Sequence, residues 1–122
     1  PAPKVYPDQA VAEAKKAVGE AFGKANVAVL VAGRTNGGTD QAMVLAVAAN
    51  VRLARSAGSM SLNESLADNP ATPTGIGDAV KSLARAYQEI SLGQLAGAPP
   101  VQLEPSYRTG DSATSTIEQN CS

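Results

Sequence analysis

The residues of this 122-residue chain that could carry chemistry are few. It has no His and one Cys, Cys121, so a Cys/His zinc site, a Ser-His-Asp triad and a Cys-His pair cannot be assembled from its side chains. Carboxylate pairs need no His. Glu13 and Glu20 fall on one helical face, but Lys16 and Lys24 share it at helical spacing, and surface ion pairing accounts for the set. Asp40 and Asp78 stand where helices should begin, the place of a cap or a dipole partner. Glu64 and Asp68 are two carboxylates one turn apart, short of the cluster an oxygen-ligated metal needs. The pattern predicts no enzyme: no catalytic residue, no metal ligand and no cofactor. Cys121 is an odd thiol near the end of the chain, and it is expected either free or in an intermolecular disulfide.

One stretch has a cofactor-like pattern. Val27-Ala28-Val29-Leu30-Val31-Ala32-Gly33-Arg34-Thr35-Asn36-Gly37-Gly38-Thr39, followed by an apolar run to Asn50, resembles the first strand, glycine turn and helix of a short-chain dehydrogenase. Gly33 and Gly37 keep the spacing of the first two glycines of that family's TGxxxGxG turn, while Ala32 replaces its Thr and Thr39 its last Gly. The resemblance implies a truncated dinucleotide-binding unit with pyrophosphate at a helix N-terminus. The family's Tyr followed four residues later by Lys has no counterpart: Tyr6 is followed by Ala10, Tyr87 by Ser91 and Tyr107 by Asp111. A chain this short also lacks the further parallel strands such a sheet requires. The competing reading is an Ala/Val helix running into a glycine-rich turn between two helices.

The elements that must position any site follow from composition. The chain holds 23 Ala but one Phe, three Tyr and no Trp, which allows one domain with a thin core. Ten basic residues balance eleven acidic ones without a charge block. Lys15, Lys16 and Lys24 are interleaved with Glu13 and Glu20, so no specific nucleic-acid binding is expected. The apolar runs 27–32 and 42–49 are too short to span a bilayer, which predicts a soluble chain with no transmembrane segment.

Asp8 after Pro7 caps a first helix from about Gln9. Its seam is Val11, Ala14, Val18, Ala21, Ala25, Ala28 and Ala32, spaced 3-4-3-4-3-4, the rhythm of a close coiled-coil contact. Gly19 and Gly23 would permit close approach on a second side. A second helix begins at Thr39 or Asp40 and runs to about Ser56, with Gly58 as its stop. From Ala42 to Ala49 it is apolar on every face, the pattern of a central helix or of one covered by a neighbouring subunit. Ser61 and Glu64 have capping-box spacing, which gives a short turn or helix around Leu62 to Ala67 before Asn69-Pro70. Ile76, Val80, Leu83, Tyr87 and Ile90 mark an amphipathic helix from 76 to about 95. After Ala96 the chain mixes Pro, Ser, Thr and Gly without a periodic stripe, as a linker or arm would.

The sequence thus predicts an all-α fold: three long helices, with a short fourth, in an antiparallel bundle or hairpin-like arrangement. The expected organisation is an N-terminal extension (1–7), a helical domain (8–96) and a flexible or partner-bound polar arm (97–122). Small residues and a scant aromatic content leave such a monomer short of core, a deficit that burial against other copies would relieve. The leading functional expectation is a structural, self-assembling homo-oligomer, such as a filament, shell or virion component. Val11, Ala14, Val18, Ala21, Phe22, Ala25, Val44, Leu45, Val47, Leu83, Tyr87 and Ile90 are expected to carry its assembly or core packing. The alternative is a monomeric helical module that binds a partner helix or lipid through an apolar groove. The compartment is left open.

Overall fold

The structure, a computed structural model, describes residues 4–121; residues 1–3 of the expected N-terminal extension and Ser122 lie outside the described residues. Among the described residues it is all-helical, with α1 (Asp8–Arg34), α2 (Gln41–Asp68), α3 (Thr74–Leu95) and α4 (Pro100–Cys121). Consecutive helices pack side by side, and α1 touches α4 over a shorter stretch, which makes an up-down-up-down four-helix bundle. Antiparallel pairing shows in individual contacts. The buried Ser59 hydroxyl donates to the Ala84 carbonyl at 2.7 Å, and Ser91 donates to the Arg52 carbonyl at 3.2 Å, tying α2 to α3. Ser106 donates to the Glu89 carboxylate, tying α4 to α3.

The turns have clear local causes. Asp40 caps α2, its carboxylate accepting from the Ala42 and Met43 amides at 2.9 and 3.3 Å. The turn before it depends on two glycines: a Cβ on Gly37 would sit 2.6 Å from the Val44 nitrogen, and Gly38 has φ 63°. Asn69 caps the C-terminus of α2 and accepts from the Thr72 amide and hydroxyl. At the end of α3, Gly97 has φ 77°. Its amide donates to the Gln94 carbonyl, and that of Ala98 to the Gly93 carbonyl, the paired bonds of a Schellman cap. Pro99 and Pro100 then start α4, where a missing N–H leaves nothing unsatisfied.

The core joins all four helices: Val18, Phe22 and Ala25 of α1, Leu62 of α2, Ile76, Val80, Leu83 and Tyr87 of α3, and Ala113 and Ile117 of α4. In α1 the buried residues are Ala14, Val18, Phe22, Ala25 and Ala32. The expected seam holds at Ala14, Val18, Ala25 and Ala32, but Ala28 is exposed and Val29 packs on the core in its place. A straight helix of 3.6 residues per turn drifts by about 20° per heptad from a 3.5-residue repeat, which favours Val29 over Ala28 on the core side while Ala32 stays buried.

Three expectations are corrected. Gly58 does not stop α2, which continues to Asp68 and absorbs the short helix expected around Leu62 to Ala67. Gly58 is instead a packing residue: a Cβ there would lie 3.3 Å from the Ala25 Cβ and 3.4 Å from the Tyr87 ring, so glycine is what lets α1 and α3 come close to α2. Residues 97–122 are not an arm, because Pro100–Cys121 is a helix that buries Leu103, Ala113 and Ile117. Its inward positions are mostly small, with the Gly110 backbone close to Ala86 and Leu83. Finally, the stretch 27–32 that resembles a dehydrogenase strand is helical, Gly33 and Arg34 included, and no strand occurs among the described residues, so the dinucleotide-binding geometry is absent.

Candidate functional site

Two surface features follow from the way the helices end. The first comes from unequal length. The Ser91–Arg52 hydrogen bond sets the register of α2 on α3; eleven residues of α2 (41–51) precede Arg52, whereas four of α3 (92–95) follow Ser91. The first turns of α2 therefore extend past the end of α3. Across the 35–40 turn from each other, Val27, Leu30 and Val31 on α1 and Met43, Val44 and Leu45 on α2 are about half exposed, with Leu53 further along α2. No charged side chain occurs between Gln41 and Val51 or between Ala25 and Gly33. Large apolar side chains left this exposed on two neighbouring helices make this end a candidate contact surface. Along the outer side of α1, Gly23, Val27, Ala28 and Val31, flanked by Glu20 and Lys24, line a shallow groove of about 680 Å³.

The second feature is a cleft where α1 and α4 diverge. The two helices meet near Gly19, where a Cβ would lie 3.5 Å from the Cys121 Cβ. Towards the other end they separate and leave a cavity of about 350 Å³ that all four helices line. Val29, Leu83 and Ile90 supply apolar wall, and Asn26, Asp111 and Glu118 supply polar rim. The Arg55 guanidinium lies 5.3 Å from the centroid of the Tyr107 ring, a cation–π arrangement. Gln94 donates to the Tyr107 hydroxyl at 3.3 Å. Tyr87 also lines the cleft and is 7% exposed. Burial pushes its hydroxyl above the ordinary value of 10.0, against a smaller lowering by the Arg55 charge, so it is a neutral donor at physiological pH.

The residues singled out from sequence divide between these features and the core. Val18, Phe22, Ala25, Leu83 and Tyr87 share the central cluster. Ala14 and Ile90 are buried, and Val11, Ala21 and Val47 are half-buried. Val44 and Leu45 are 47% and 64% exposed at the tip. Of the Ala seam, Ala14, Val18, Ala25 and Ala32 are buried within the chain, and Ala25 faces Gly58 of α2. At its apolar end α2 is not a central helix. Cys121 is half-buried against the core, and burial raises its thiol above the ordinary 9.0, with a smaller lowering by Lys15. The carboxylates weighed for chemistry, Glu13, Glu20, Asp40, Glu64, Asp68 and Asp78, are all exposed. Among the described residues, no three His, Cys, Asp or Glu side chains are grouped so as to hold a metal, and no helix is long and apolar enough to cross a membrane.

Sequence reasoning missed Arg55 and Tyr107. The cleft is made by residues from four separate helices, and no local spacing signals it. Comparison with protein-family models, with curated proteins and with solved structures gives no match.

Proposed function

We propose that this protein is a non-enzymatic structural subunit that self-associates through the exposed apolar start of α2 and the adjoining face of α1. The observation that carries the reading is the exposed apolar run of Met43, Val44 and Leu45 at the start of α2, beyond the level at which α3 ends, with the exposed Leu30 and Val31 on the neighbouring α1. These side chains are each about half exposed, and a second copy seated on them would remove that apolar surface from water. A second copy supplies the same uncharged, self-complementary patch, as a twofold contact requires. Each subunit then gains the apolar burial that an Ala-rich core with a single Phe lacks.

Sedimentation velocity over a hundredfold range of concentration tests this. The expected result is a species larger than the 12.3 kDa chain that dissociates on dilution, and a Leu45→Lys variant that stays monomeric with unchanged helical circular dichroism. A wild-type monomer at every concentration, or an oligomer indifferent to Leu45→Lys, would overturn the assignment.

A further inference from the structure

Self-association leaves the α1/α4 cleft unexplained, since it lies beside the core and draws its wall from all four helices. Its volume of about 350 Å³ is at the lower end of small-molecule sites, roughly 300–1,000 Å³, and too small for a partner helix about 10 Å across. What distinguishes it is a pair of unused donors at an apolar wall. Arg55 is half-buried and makes no hydrogen bond or ion pair among the described residues, whose ion pairs are Arg85–Glu89 and Arg108–Glu104. A guanidinium keeps its charge and offers five N–H donors, and the Tyr107 ring face beneath it satisfies none of them. Tyr87 is 7% exposed, and its hydroxyl, which makes no hydrogen bond among the described residues, is not sealed from solvent, Arg52 Nε being the buried polar side-chain atom without a partner there.

We propose that the cleft binds a small amphipathic monocarboxylate, its head held by Arg55 and Tyr87 and its apolar body laid against Val29, Leu83 and Ile90. A planar carboxylate matches the guanidinium fork with two parallel hydrogen bonds and takes a third from the phenol. The apolar wall accepts a short alkyl chain or a single ring. Asp111 and Glu118 line the same cleft; their carboxylates oppose any anion, polyanions most, so the head must seat against Arg55 and away from them. The cleft shares Leu30 with the self-association surface, but Arg55 and Tyr87, which hold the head, are not among the residues assigned to that surface, so Arg55→Gln and Leu45→Lys test the two readings apart.

The test uses octanoate, octylammonium and octanol, one chain with three heads, followed by amide chemical shifts of the full chain. Octanoate is expected to shift cleft residues such as Val29, Leu83 and Tyr107 saturably, and to bind at least tenfold more tightly than the alcohol or the amine. Arg55→Gln should weaken octanoate binding about tenfold or more, and Tyr87→Phe by a few-fold. Asp111→Asn, which removes a repelling charge without disturbing the wall, should tighten it by a few-fold. Preference for octylammonium, equal binding of all three, shifts confined to the α1/α2 tip, or weakening by Asp111→Asn would each overturn the proposal.

Discussion

In the C-terminal half of α2, Gly58, Ser59 and Leu62 are buried, whereas in its N-terminal half Met43, Val44 and Leu45 stand about half exposed although the second stretch is the more apolar. The difference is one of reach. Ser59 and Leu62 face α3, and Ser59 is bonded to it; the first turns of α2 lie beyond the register at which α3 ends. Burial along a helix is therefore set by which neighbours extend to that level. An apolar segment outside that reach is either a defect in the monomer or a surface built for company. The absence of any charge between Gln41 and Val51 argues for the second, because a solvent-facing end ordinarily carries charge.

The largest effect that would sharpen this contrast is in the packed half. Leu62, fully buried, replaced by Ala should lose about 3 kcal/mol, within the roughly 2–5 kcal/mol typical of core truncations. Leu45→Ala, measured by urea unfolding at a concentration low enough to keep the chain monomeric, should change stability by less than about 0.5 kcal/mol. Comparable losses at the two positions would break the comparison. Next in size is Ala25→Leu. Because Ala25 packs against the Gly58 backbone, overpacking it should cost about 1–3 kcal/mol of monomer stability. An Ala25→Leu chain of undiminished stability that fails only to assemble would instead place the Ala seam between subunits.

Much of the fold was legible in the sequence. The 4-3-4-3 row from Ile76 to Ile90 carries large apolar residues and lies in α3, and Asp40 followed by an apolar run marks the start of α2. Gly58 was misread because a glycine that stops a helix and one that admits a neighbour look alike in one dimension; Ala25 and Tyr87, the residues that decide it, are 33 and 29 positions away. Helix α4 escaped notice because its inward row is Leu103, Ser106, Gly110, Ala113, Ile117 and Cys121. Only two of these are large and apolar, and Pro105 lies inside the helix. Of the surface features, the apolar stretch of α2 was recognisable as needing cover, whereas the cleft arises only when Arg55 and Tyr107 are brought together by packing.

The smallest expected effect concerns alkaline pH. Tyr87 and Cys121 belong to the packed part of the molecule, and both have folded pKa values raised by burial from ordinary values of 10.0 and 9.0. The folded state holds these protons more tightly than the unfolded chain. Their contribution is therefore intact below the unfolded values and is lost as pH rises through the folded ones. The urea midpoint should be level near pH 8 and fall above about pH 9, with a shallower fall in a Tyr87→Phe, Cys121→Ser chain. An equal fall in that chain would assign the effect to other groups.

Hydrogen exchange along α2, compared at low and high protein concentration, tests the central claim most directly. The projecting end predicts that amides of residues 44–51 gain protection as concentration rises, while those of residues 58–66, already covered by α1 and α3, do not change. Protection independent of concentration in both halves would contradict it.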